Sequence, residues 1–138
     1  MWPSNSELKQ LSRLLSLPLR GDEDDSELQD WDWDFADSGR VADFLDLYDH
    51  APLSIHQKTA LMSLIVESYD ERLASGNHDE MLWGRIESHL IQEAETHEYT
   101  IERWRLAAEQ DDGPSKFDIG RRILQLFGPS PSEHAQPA

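Results

Sequence analysis

The sequence predicts an all-α protein: one domain over residues 1–127, built from five to six helices, with a central helix around residues 55–74. Three observations predict it. Apolar residues recur at spacings of three and four along most of the chain, the period of an amphipathic helix. Capping pairs, prolines and glycines bracket those stretches as helix starts and stops. The alternation typical of strands appears only in one short run, Asp30-Trp31-Asp32-Trp33-Asp34-Phe35.

The first helix starts at Ser4, with Glu7 three residues later as a capping box. Leu8, Leu11 and Leu15 form its stripe, and Pro18 is its expected stop. An acidic connecting segment follows over residues 21–37. Residues 21–39 carry nine Asp or Glu and no Lys or Arg, and clustered like charge there predicts a loop at its start. Asp37 is the expected cap of the second helix, whose stripe is Val41, Phe44, Leu45 and Tyr48.

After Pro52, Ser54 and Gln57 form another capping box and open the strongest helix. Leu61, Leu64, Ile65, Tyr69 and Leu73 give its inner face, Ala60, Met62 and Val66 widen it, and Gly76 terminates it. Asp79 starts a fourth helix with Leu82, Ile86, Leu90 and Ala94 in register. Thr100 is the expected cap of a fifth, carrying Ile101, Trp104 and Ala108. Asp112-Gly113-Pro114 is a turn, and a last helix carries Ile119, Ile123 and Phe127. The Pro-rich tail, residues 128–138, is expected to be disordered.

The chain has 138 residues, 38% hydrophobic and 29% charged, enough apolar content for a folded domain. Twelve basic residues face 28 acidic ones, a formal net charge of -16. Such a field disfavours nucleic acid and anionic membrane surfaces, and favours capture of a basic partner. Cysteine is absent, which excludes disulfides, thiolate catalysis and zinc–thiolate sites and suits the cytoplasm. The N-terminal stretch is a poor signal peptide, because Lys9 and Arg13 interrupt its apolar run.

Little in the chain has the pattern of a catalytic or metal centre. His89, Glu93 and His97 stand four residues apart and would share a face of a sufficiently long helix. Neither the Glu-x-x-His pairs of di-iron bundles nor the His-Glu-x-x-His of zinc proteases is present, so these side chains read as an exposed, acidic helix surface rather than a metal site. No serine sits in a nucleophile elbow, and the scattered glycines form no phosphate loop. Arg103-Arg105 and Arg121-Arg122 are expected to bridge to nearby acids. No cofactor is implied, and the chain reads as a binding protein rather than an enzyme.

Binding then turns on acids and aromatics, which steer and anchor partners. In the run from Asp30 to Phe35, Trp31 and Phe35 share a side whether the segment is extended or helical. They are expected to close the core, while Asp30, Asp32 and Asp34 stay wet and Trp33 serves as an exposed anchor. The outer acids of the central helix, Glu67, Asp70 and Glu71, complete the expected partner-binding face. Trp104 is expected in the core, Trp83 half exposed, and Trp2 at a fraying end.

Residues 30 to 105 resemble a family of small acidic bacterial proteins. The resemblance is carried by Trp31, Asp32, Trp33, Ala36-Asp37, Phe44-Leu45, Tyr48, Ala60-Leu61-Met62, Leu64-Ile65 and Ser68, and extends to the Ile101–Trp104 stretch. Such proteins look like cognate immunity proteins of toxin systems. The resemblance implies a cytoplasmic, non-enzymatic immunity protein that binds and neutralises a toxin or effector domain with a basic surface. The alternative is an effector-loading chaperone or adaptor, which would bind an apolar segment in a hydrophobic groove and be less sensitive to salt.

Overall fold

The computed structural model describes residues 2–17, 31–109 and 118–128. They form seven helical segments: α1 (Asn5–Leu14), α2 (Trp31–Asp34), α3 (Val41–His50), α4 (Ile55–Ala74), α5 (Glu80–Gln92), α6 (Glu98–Glu109) and α7 (Asp118–Phe127). There is no strand among the described residues. The fold is all-α, as the periodicity predicts. The acidic residues 21–30, the Asp112-Gly113-Pro114 turn and the tail from residue 129 lie outside the described residues.

The centre is α4. Its 20 residues bury Ala60, Leu61, Met62, Leu64, Ile65, Val66 and Tyr69 completely, with Ser63, Glu67 and Ser68 buried among them, so it is covered almost all round. A helix of that kind has to be surrounded, and α1, α2, α3, α5, α6 and α7 all pack on it.

The two predicted capping boxes form, and they interlock. Ser4 Oγ accepts from Glu7 N at 3.2 Å, and Ser54 Oγ accepts from Gln57 N at 3.0 Å. Ser54 Oγ also donates to Glu7 Oε2 at 2.7 Å, and Gln57 Nε2 donates to the Glu7 carbonyl at 3.1 Å. Each cap satisfies helix-end donors that would otherwise lack partners. Their linkage fixes the start of α4, and with it Ile55, against α1.

Helix α1 stops before Pro18. Leu17 N donates to Ser12 O at 2.9 Å and Ser16 N to Arg13 O at 3.1 Å, the double bond of a Schellman turn. Ser16 takes the left-handed conformation that this turn needs, with φ 56°. The same motif ends α4 with Gly76 at φ 86°: Asn77 N bonds to Arg72 O and Gly76 N to Leu73 O.

The aromatic run from Trp31 folds as the single turn of α2. Trp31 is fully buried, and its Nε1 donates to Ser12 Oγ at 2.8 Å, which itself donates to Leu8 O at 2.7 Å. Phe35 meets Trp31 edge-on at 6.4 Å and packs half-buried on the core. Trp31 and Phe35 therefore close the core as expected.

Three expectations need correction. Asp37 does not cap α3: its carboxylate accepts from Gly39 N at 2.9 Å in a local turn, and Arg40 occupies the cap position without a side-chain bond. Thr100 does not cap α6, which begins at Glu98; Thr100 is buried inside its first turn. Trp83 is buried rather than half exposed, because it stacks on Tyr69 at 5.9 Å and the Arg122 guanidinium of α7 covers its ring at 5.3 Å. Asp79 does cap α5, accepting from Met81 N and Leu82 N.

Helices α6 and α7 pack closely at Gly120. A Cβ there would lie 2.8 Å from the Trp104 carbonyl oxygen and 2.8 Å from Ala108 Cβ.

Candidate functional site

The acids expected to meet a partner divide into an inner and an outer group. Asp32, expected to stay wet, is 5% exposed, and Glu67, expected on the outside of α4, is 4% exposed. The cause is Arg103 on α6, whose Nη1 lies 2.8 Å from Asp32 Oδ2 and whose Nη2 lies 2.7 Å from Glu67 Oε1. Ser63 Oγ also donates to Asp32 Oδ2. One guanidinium thus serves two carboxylates under the α2 turn. Burial dominates at Glu67 and, with the repulsion of Asp32, outweighs Arg103, so its carboxyl is pushed up to about 7. Asp34 and Glu71 are exposed and Asp70 is half exposed, as expected of outer acids. Asp30 and the side chain of Trp33 lie outside the described residues.

The His89, Glu93 and His97 row is not the exposed helix face that was expected. Helix α5 ends at Gln92, and the chain turns so that His97 is fully buried. Tyr48 Oη donates to Glu93 Oε1 at 2.6 Å and lies 2.7 Å from His97 Nε2. Burial works to raise the Glu93 carboxyl, yet the Tyr48 hydroxyl and the Lys58 ammonium, 3.5 Å away, hold it below its ordinary value. Glu93 is therefore a carboxylate and takes the one phenolic proton. His97 Nε2 must then donate to Tyr48 Oη, which leaves Nδ1 bare, buried and without a hydrogen-bond partner. A proton on Nδ1 would be unpaired, and burial lowers His97 to about 4 despite the nearby Glu93 charge.

Around this core, His89 Nε2 reaches Asp49 Oδ1 at 2.7 Å, and Arg85 Nη2 bridges Asp46 and Asp49 at 3.0 and 2.8 Å. These contacts bolt α3 to α5. Among the described residues no group of His, Asp and Glu has metal-binding geometry. The cluster is a hydrogen-bonded joint between helices.

A different surface collects the exposed apolar side chains. Between the first turn of α4 and the outer edge of α6 runs an open groove of about 740 Å³. Ile55, Tyr99 and Leu106 line it, with exposures of 60%, 48% and 40%. They are three of the six large apolar side chains left exposed among the described residues, which makes their convergence a patch rather than scatter. Glu95, Glu98 and Glu102 rim the groove, the first two fully on the surface. Arg103 lies in the wall, but its charge is spent on Asp32 and Glu67, and Arg105 is paired with Glu102 at 3.0 Å. The groove is apolar in its floor and negative at its rim.

Sequence periodicity misses this patch because it looks for residues on the inner stripe. Tyr99 and Leu106 fall off the Ile101–Trp104–Ala108 stripe and are one heptad apart on the other side of α6. That off-stripe pair was the readable signal. Ile55 joins them from α4, whose first turn is tied to the start of α6 by Thr59 Oγ1 donating to the Thr96 carbonyl at 2.9 Å.

Comparison of the chain with protein-family models, with curated proteins and with solved structures finds no match. The class is thus set by the chain's own fold and surface: an all-α protein with an acid-rimmed apolar groove. No helix among the described residues is long and apolar enough to cross a membrane.

Proposed function

We propose that this protein is a non-enzymatic immunity protein, which binds and neutralises a toxin or effector domain bearing a basic surface. The observation that carries the reading is the rim of exposed glutamates around a patch of exposed large apolar side chains, in a chain of net charge -16. Opposite fields speed encounter, and a few apolar or aromatic anchors supply affinity. The resemblance of residues 30 to 105 to small acidic immunity proteins supports it further. Asp34, Asp70 and Glu71 extend the negative surface beyond the groove; Asp32 and Glu67 serve it only indirectly, as partners of Arg103.

The rival reading, a loading chaperone or adaptor, has one observation in its favour: the groove floor is apolar. Salt separates the two. The tagged chain is used to capture partners from its native host at low and high salt, and each captured protein is then expressed alone and together with the chain. An immunity protein retains a basic protein that salt releases, and co-expression relieves that protein's toxicity. Retention of a non-toxic partner through an apolar segment, insensitive to salt, overturns the reading in favour of the chaperone.

A further inference from the structure

The groove between α4 and α6 has the features of a seat for one kind of ligand. Along α6, positions 98, 99, 102, 103 and 106 advance by ones and threes, so they form a single helical edge facing the first turn of α4, and Glu95 adjoins it from the preceding turn. Tyr99 and Leu106 are seven residues apart, about 10 Å along the helix axis. An apolar groove beside a helix edge accommodates another helix, whose anchors recur at three, four and seven residues. The rim selects the charge of that helix. Glu95 and Glu98 face the ligand with exposed charge, while Arg103 is paired to Asp32 and Glu67, and Arg105 to Glu102. A second copy of this chain, at net charge -16, would bring like charge to the rim.

We propose that the groove bounded by Ile55, Tyr99 and Leu106 docks a basic amphipathic helix of the partner protein, with its apolar side chains in the floor and its lysines or arginines on Glu95 and Glu98. This deepens, and rests on, the reading of the chain as a binder of a basic protein. Tyr99 is set for the role, because Trp2 packs against its ring at 5.6 Å and stiffens it from behind. A rigid aromatic loses little entropy on binding and is the kind of residue that dominates interface energetics.

The test uses the full chain and three synthetic peptides. One is a helical peptide with leucines a heptad apart and lysines beside them. The second has the same composition scrambled, and the third has glutamates for the lysines. The ordered basic peptide binds, the scramble binds about tenfold more weakly, and the acidic peptide does not bind. Ile55→Asp and Leu106→Asp each weaken binding about tenfold or more while the chain stays folded with a small fall in melting temperature, because both side chains are partly in solvent. Glu98→Lys weakens binding and flattens its dependence on salt.

If the ordered peptide fails to bind, or binds Leu106→Asp as well as the parent, the groove is not the seat. A basic partner captured by salt-sensitive binding would then still leave the broader reading standing. If sedimentation finds a dimer that Leu106→Asp dissolves, the occupant is a second copy and the proposal is overturned.

Discussion

Arg103 and Asp32, 71 residues apart in the chain, are joined at 2.8 Å between Nη1 and Oδ2, and the same guanidinium holds Glu67 at 2.7 Å. This pairing turns two of the acids that looked most suited to a partner into parts of the interior. It also ties the groove wall to the α2 turn, since Arg103 belongs to both. Removing the arginine takes its charge away from two buried carboxylates. Arg103→Ala should therefore cost about 3 kcal/mol at pH 8, the range for breaking a buried pair by one partner. Replacing all three residues, as Arg103→Met with Asp32→Asn and Glu67→Gln, should recover most of that loss. Urea titrations of the single and triple variants check it; equal stabilities for the parent and Arg103→Ala would mean that the triad holds nothing together.

Glu67 gives the triad a pH signature. In the unfolded chain this carboxyl loses its proton near its ordinary value of 4.5; in the fold it keeps it up to about 7. Between those values the folded state binds more protons, so stability falls as pH rises from 4.5 to 7. Glu67→Gln keeps an acceptor for Arg103 and removes the titration. Relative to the parent, the variant should gain about 2 kcal/mol between pH 4.5 and pH 8, less than the full shift implies because water screens the partly exposed Arg103. Urea midpoints across that range read the difference directly, and parallel profiles for the two proteins would exclude it.

His97 works in the opposite direction. Its folded value of about 4 lies below its unfolded 6.5, so the unfolded state binds more protons in that window. Stability from a neutral His97 is complete above pH 6.5 and is lost as pH falls toward 4. In the parent the two slopes offset each other over most of the acidic range. His97→Gln should unmask the Glu67 slope and make the protein gain stability on mild acidification. Tyr48→Phe removes the hydroxyl that both Glu93 and His97 use, and should cost about 1 to 3 kcal/mol at pH 7. Nitrogen NMR of the imidazole provides the structural check: Nε2 should carry the proton and Nδ1 should not.

The helices, their stripes and the core role of Trp31 and Phe35 were legible in the sequence because they depend on local spacing. The inner acids were not. Nothing near Asp32 or Glu67 distinguishes them from solvated carboxylates; their burial is decided by one arginine on a helix far along the chain. A helix continuing through Glu93 would leave His97 exposed, whereas the break at Gln92 turns it inward. Thr100 has the local pattern of a cap, a threonine before an apolar stripe, yet α6 begins two residues earlier at Glu98. The groove depends on side chains that periodicity discards. Ile55 comes beside Tyr99 and Leu106 through a tertiary bond, Thr59 Oγ1 to the Thr96 carbonyl, which joins residues 37 apart in the chain.

The end of α1 offers a test of backbone strain. Ser16 sits at φ 56°, a conformation that costs a residue with a Cβ about 1 kcal/mol and costs glycine almost nothing. Its side chain is exposed, so substitution changes little else. Ser16→Gly should stabilise the protein by up to about 0.5 kcal/mol, the relief being partly offset by the greater freedom of glycine in the unfolded chain. Ser16→Val should destabilise it by more than that, because a β-branched residue tolerates this region poorly. Thermal melts of the two variants should bracket the parent.

Gly120 tests the opposite constraint, which is space rather than torsion. It lies within α7, where alanine is the better helix former by about 1 kcal/mol, so local propensity alone predicts that Gly120→Ala stabilises. The new methyl, however, would lie 2.8 Å from the Trp104 carbonyl oxygen, a backbone atom that cannot swing aside, and 2.8 Å from Ala108 Cβ. Helix α7 would have to move away from α6, loosening Ile119 and Ile123 in the core and the Arg122 cover over Trp83. Overpacking of this kind costs about 1 to 3 kcal/mol and should override the propensity gain. The predicted outcome is net destabilisation together with a red shift of tryptophan emission as Trp83 and Trp104 become wetter. Pairing Gly120→Ala with Ala108→Gly removes one of the two contacts but leaves the carbonyl in place, so recovery should be partial. Full recovery would locate the constraint in the side chain instead of the backbone.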